Sequence, residues 1–206
     1  MLSHVDWPAF LIAMAAVELT PGPNMGWLAA LSAQRGRRVG LTAVVGVTIG
    51  LFVQILAAAT GLSAALSEMP ILYEGLRWAG VAFMLYLAVE AWRDTGIASP
   101  LQRDSYAGFR RGLIANLLNP KALVFYLVIV GQFASESAGP LWIQIILLGL
   151  IHLAVAVTVH VAIVLAGDRL GATLERYRKD VWVRGAFALT LASIAIWIAF
   201  STGRPS

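Results

Sequence analysis

The chain has 206 residues, of which 59% are hydrophobic and 13% charged, and its mean hydropathy is +0.79. Soluble domains carry about 25% charged residues, so too few polar groups are present to coat a water-facing globule, and disorder or a fibrous repeat fails for the same reason. The formal charge of +4 would serve nucleic-acid binding only if gathered on one basic face, whereas these charges lie between apolar runs.

A helix that spans a membrane needs about 20 mostly apolar residues, at 1.5 Å each across a core of about 30 Å. Six stretches qualify: about 8–32, 39–66, 70–92, 112–134, 140–167 and 182–201. The opening MLSHVDW has no Lys or Arg, so it lacks the positive region of a secretory signal, and the first span is expected to stay in place.

That first span contains Thr20-Pro21-Gly22-Pro23-Asn24. Proline lacks an N–H and clashes with the carbonyl four residues earlier, so Pro21 and Pro23 free the carbonyls of Val17 and Leu19. In hydrocarbon such groups need internal partners, which places irregular backbone inside protein or beside a watery cavity. A purely structural kink is the alternative. Glu18 stands one turn before the break, and a charge at the bilayer centre costs at least about 2.5–3.5 kcal/mol on the insertion scale.

The second span carries Gly46-Val47-Thr48-Ile49-Gly50, with Ala57 and Gly61 continuing a small face, which predicts close packing on a neighbour. Gln54 in the same span reads as an interhelical hydrogen bonder or a substrate contact. Glu90 ends the third span near the inner face, within reach of water. The fourth span is interrupted at Asn119-Pro120-Lys121, where Pro120 frees the Asn116 carbonyl. In the fifth, His152 and His160 stand about 80° apart around a helix. Without an acidic or thiol partner they make a poor metal site, and a proton relay or a packing role fits better. No metal or other cofactor is expected.

Between spans five and six, Leu170, Leu174, Tyr177 and Val181 recur at helical spacing among basic residues. The connection is either an inner-surface amphipathic helix or a solvated loop. Trp7, Trp27, Trp78, Trp92, Trp142, Trp182 and Trp197 mostly fall near span ends, as interfacial aromatic belts do. The chain has no P-loop and no cysteine, so it does not hydrolyse ATP by itself and has no disulfide or thiolate site.

Charge orients the spans. Arg35, Arg37 and Arg38 follow the first; Arg93, Arg103, Arg110 and Arg111 follow the third; Arg169, Arg176, Arg178, Lys179 and Arg184 follow the fifth. These are 12 of the 15 basic residues, and the positive-inside rule places them in the cytoplasm. They share one face only if there are six spans, which leaves both termini outside.

Three spans per half give inverted topology: repeat one over 1–92, an inner loop over 93–111 and repeat two over 112–206. Inverted repeats are a transporter architecture whose site lies near the midplane, at interrupted helices in corresponding positions. Pro21 lies about 20 Å along the first span from Pro8, and Pro120 about 12 Å along the fourth from Gly112. Entered from opposite faces, both breaks fall in the middle of the bilayer. Glu18 and Lys121 flank them, either as a structural ion pair or facing opposite ends of a zwitterion. In the second arrangement Lys121 and the N–H groups of the half-helix after it hold a carboxylate, and Glu18 with the freed carbonyls holds an ammonium.

These residues resemble the LysE family of bacterial amino-acid exporters, including its threonine/homoserine-exporter branch. TPGPN at 20–24 is similar to the family's first-span signature, and Gly36-Arg37-Arg38-Val39-Gly40-Leu41 to its second-span entry. FRRGLIANLLNPKA at 109–122 is similar to its fourth-span opening. The resemblance covers nearly the whole chain. Two departures are Gly131-Gln132-Phe133, where members often have Pro-Gln-Phe, and Glu18 itself. The family implies export of amino acids or their derivatives across the bacterial cytoplasmic membrane, driven by the membrane potential or a proton gradient.

The sequence thus predicts an all-α, multi-pass integral membrane protein of the inner membrane. It has six transmembrane helices in two inverted three-helix repeats, the first helix of each broken at Pro. The predicted function is a secondary exporter, not an enzyme, alternating access around the breaks and coupled to protons. The expected substrate-site residues are Glu18, Pro21, Gly22, Pro23, Asn24, Gln54, Asn116, Asn119, Pro120 and Lys121, with Glu18 and His152 as proton carriers. Expected partners are a small-molecule substrate and membrane lipid, with no nucleic acid and with room for a homo-oligomer. The rival readings are an intramembrane enzyme acting on lipid or peptide, and a non-transporting membrane assembly partner.

Overall fold

The computed structural model describes residues 2, 4–19, 22–60, 70–93, 105–119, 122, 125–174 and 181–201. Among them the secondary structure is entirely helical: α1 (Trp7–Leu19), α2 (Pro23–Arg35), α3 (Arg37–Ala59), α4 (Pro70–Arg93), α5 (Ser105–Leu117), a π-helical segment (Phe125–Val130), a 3-10 turn (Glu136–Ala138), α6 (Leu141–Leu174) and α7 (Val181–Ser201). By length and composition, Arg37–Ala59 and Leu141–Thr173 are able to cross a membrane.

Local chemistry sets several helix ends. The Asp6 carboxylate caps α1, accepting the Ala9 N–H at 3.0 Å, and Pro8 falls in the first turn, where a missing N–H costs nothing. Pro23 uses the same position in α2, after Gly22 in extended backbone at φ −135°. Between α2 and α3 only Gly36 intervenes, at φ +82°, a region costly for residues with a Cβ. Its N–H donates to the Ser32 carbonyl at 2.8 Å. From α6 the Asp168 carboxylate accepts the Arg37 N–H at 2.8 Å, capping α3 across the bundle. The expected loop around Arg35, Arg37 and Arg38 is therefore a single glycine.

Helix α3 is apolar on all sides but not uniform. Its buried face carries Gly40, Ala43, Gly46, Gly50 and Gln54, while Leu41, Val45, Ile49, Phe52 and Leu56 face outward. The glycines and the amide of this helix are confined to its buried face, among Val44, Val47, Leu51 and Ile55, as suits close packing of helices in a lipid solvent. A Cβ on Gly46 would run into the Phe109 carbonyl, and one on Gly112 into that of Ala43, so α3 and α5 meet backbone to backbone. The small face predicted around Gly46 and Gly50 is this contact. Gly167 and Gly171 bring α6 against Ala29 and Ala33 of α2 in the same way, a second small-residue seam that the sequence reading missed. Thr48, Thr158 and Thr190 turn their hydroxyls back to carbonyls one turn earlier, which satisfies each within its own helix.

The most extensive packing joins α3 to α5 and α4 to α7, followed by α2 to α6 and α3 to α6. At one end of the bundle, Arg111 of α5 donates to Glu90 of α4 at 2.6 Å, and Arg35 of α2 lies 3.9 Å from the same carboxylate oxygen. Together with the Arg37–Asp168 contact, this brings Arg35, Arg37 and Arg111 to that end with two carboxylates. Glu90 is thus engaged by arginines, where the sequence suggested only access to water.

Two further expectations need correction. The segment through Leu170 and Leu174 is not a separate surface helix: α6 runs on through Leu174, held to α2 by Gly167 and Gly171, while Tyr177 lies outside the described residues. Trp27 is 2% exposed and packs inside the bundle, unlike Trp78, Trp92, Trp142 and Trp182, which are exposed as belt residues should be.

Candidate functional site

Between the end of α1 and the start of α2 lies a small, partly open cavity. Glu18 comes from α1, Gly22 and Asn24 from the α2 entry, Leu51 from α3, Asn119 from just beyond α5, and His152 and His160 from α6. Helix α1 ends at Leu19, Gly22 is extended and α2 starts at Pro23, which leaves Asn24 buried on the first turn of α2.

The polar groups form two connected sets. In the first, His152 Nε2 is 3.0 Å from Glu18 Oε1, and His152 Nδ1 is 2.8 Å from the Tyr126 hydroxyl. The Phe125 ring lies 4.1 Å from the imidazole, centroid to centroid. Both His152 and Tyr126 are fully buried. Tyr126 and Phe125 open the π-helical segment, a geometry frequent at functional sites. With the proton on Nε2 the imidazole donates to Glu18 and accepts the Tyr126 O–H at Nδ1; with it on Nδ1 the imidazole donates to the Tyr126 oxygen and Nε2 accepts from a protonated Glu18. The trio therefore accommodates gain or loss of a proton without turning the ring.

In the second set, Asn24 Nδ2 donates to Asn116 Oδ1 at 2.8 Å, and Gln54 Nε2 donates to the Asn116 carbonyl at 3.1 Å. That carbonyl is the one whose helical partner would have been Pro120. All three amide side chains are at most 4% exposed. Buried amides joined this way tie α2, α3 and α5 together at the cavity wall.

Of the predicted site residues, Glu18, Gly22, Asn24 and Asn119 line the cavity with His152. Asn116 and Gln54 support it from behind, Gln54 acting through Asn116 as an interhelical hydrogen bonder, and Pro23 starts α2. Pro21, Pro120 and Lys121 lie outside the described residues. His152 and His160 do have an acidic neighbour in the cavity, contrary to the sequence reading. Among the described residues no group of three His, Asp or Glu is arranged to hold a metal. Tyr126 and Phe125 were missed; the signal was a hydroxyl-bearing aromatic inside an apolar span, five residues after Lys121.

The model of the LysE type translocator family matches residues 15–202. The chain belongs to that family. This LysE-type chain is 31% identical over 187 residues to an uncharacterized membrane protein of Pseudomonas aeruginosa, covering 86% of this chain and 87% of the relative. It is 27% identical over 185 residues to a homoserine/homoserine lactone efflux protein of Salmonella typhimurium, covering 88% and 89%. An uncharacterized membrane protein of Vibrio cholerae is 27% identical over 181 residues, covering 86% and 85%. No solved structure matches.

Proposed function

We propose that this LysE-type protein is a secondary exporter of amino acids or their derivatives, proton-coupled, in the bacterial cytoplasmic membrane. The carrying observation is the Glu18 carboxylate, hydrogen-bonded to His152 in a cavity walled by apolar helices. A carboxylate is expensive at membrane depth, and its retention beside an imidazole and a tyrosine is how proton relays in transporters are built. The efflux function named for the Salmonella relative supports an amine-bearing small molecule as cargo.

Glu18 binds the substrate ammonium and exchanges a proton with His152, and Lys121 holds the carboxylate. The chain forms one transmembrane domain of six spans, both termini outside, in inverted halves that alternate access around the interruptions after Leu19 and Leu117.

The test uses inside-out membrane vesicles with an imposed proton gradient, acidic inside. Radiolabelled homoserine should accumulate in vesicles carrying the protein and collapse to the level of empty vesicles on adding a protonophore. Accumulation indifferent to the gradient would remove the proton coupling. Substituting Lys121→Ala should abolish transport while membrane insertion stays intact, and a fully active K121A would remove the carboxylate assignment.

A further inference from the structure

The buried amides beside the cavity have a direction. A backbone carbonyl only accepts, so the Gln54 atom 3.1 Å from the Asn116 carbonyl must be the Nε2 donor. That turns Gln54 Oε1 toward Asn116 Nδ2, 3.5 Å away. Asn116 Oδ1 is then left to face α2, and Asn24 answers it with Nδ2 at 2.8 Å. Each amide fixes the orientation of the next, and the chain ends on Asn24 Oδ1.

That oxygen is buried and has no hydrogen-bond partner among the described residues. Asn24 is 4% exposed and lines the same cavity as Glu18. Native proteins leave few buried acceptors unmet, because an unmet acceptor keeps its desolvation penalty. The group that meets this amide oxygen does so in a space that the Glu18 carboxylate also lines. A hydroxyl brings one proton to the amide oxygen. A primary ammonium brings three N–H donors and a positive charge, so it bonds the amide oxygen and faces the carboxylate with the opposite sign.

We propose that Asn24 Oδ1 and the Glu18 carboxylate together form an ammonium subsite, oriented from behind by Gln54 and Asn116. The protein selects cargo by a free, protonated primary amine. This rests on the exporter reading and adds to it the group by which the site discriminates.

Proteoliposomes preloaded with unlabelled homoserine are assayed for counterflow of radiolabelled homoserine, or of a radiolabelled amino-acid mixture if homoserine is silent. The competitors are homoserine, its methyl ester and N-acetylhomoserine. The ester keeps the amine and loses the charge that faces Lys121, so it should compete, more weakly than homoserine. N-acetylhomoserine should be weaker by about 10- to 100-fold, the worth of one hydrogen bond to a charged group. Asn24→Leu should raise the half-saturating concentration by a similar factor. Asn116→Asp, which still accepts from Asn24 Nδ2, should retain more affinity than Asn116→Leu. Equal competition by the N-acetyl compound overturns the subsite in the wild-type protein, whether or not any variant folds, and so does unchanged half-saturation in N24L. Counterflow of no amino acid at all overturns the exporter reading and this inference with it, whereas counterflow blind to the amine overturns this inference alone.

Discussion

On the proposed coupling, the Glu18–His152–Tyr126 trio has two tasks that substitutions can tell apart. Exchange of labelled for unlabelled substrate requires binding and reorientation but no net proton release. His152→Gln should therefore preserve exchange while losing acceleration by a proton gradient, as read by comparing counterflow with gradient-driven uptake. Tyr126→Phe removes one hydrogen bond to Nδ1 while keeping the ring. A neutral hydrogen bond is worth about 0.5–1.5 kcal/mol, so turnover should fall by about 2- to 10-fold with the half-saturating concentration unchanged. The sequence exposed Glu18 and His152 separately, because ionisable groups stand out in apolar spans. It did not reveal their contact, since the two are 134 positions apart and only the packing of α1 on α6 joins them. Tyr126 stayed hidden because one aromatic among many carries no mark of what its hydroxyl meets.

Among the helices, packing depends on positions where no side chain fits. Gly112→Val would drive a branched side chain into the Ala43 carbonyl of α3. Overpacking of this kind costs about 1–3 kcal/mol and should appear as a lowered unfolding temperature of purified protein in detergent. Asp168→Ala removes the cap that α6 supplies to α3, and loss of such a cap costs about 0.5–2 kcal/mol in the same measurement. Apolar length located α4 and α7 to within a residue or so, because their ends coincide with the ends of the hydrophobic runs. The same criterion misjudged the other ends. Polar residues 33–38 read as a loop, yet one glycine at positive φ suffices for the turn. Similarly, α6 continues past its apolar stretch because Gly167 and Gly171 give its polar end a surface to pack on.

Across the molecule, the central expectation is a charge-sorted bundle whose basic end faces the cytoplasm. The chain contains no cysteine, so single introduced thiols can be labelled without background. His4→Cys should react with a membrane-impermeant maleimide in intact cells, and Arg110→Cys only after permeabilisation; the reverse pattern would invert the orientation. Hydropathy and the loop charges predict this organisation, and the labelling tests it. The pairing of α4 with α7 and of α3 with α5 was not legible in the sequence, because helices apolar on every side do not say which face turns inward. What does say so is the distribution of Gly, Asn and Gln, and its meaning emerged only once the partner backbones were in place.

The most direct test of the account is counterflow of a radiolabelled amino acid, homoserine first, into proteoliposomes containing the purified wild-type protein or Glu18→Ala. The account predicts transient accumulation of unchanged label with the wild type and at least a tenfold loss with E18A, both proteins being monodisperse and equally reconstituted. Absence of counterflow for every amino acid, chemical conversion of the label, or undiminished counterflow by E18A would contradict it.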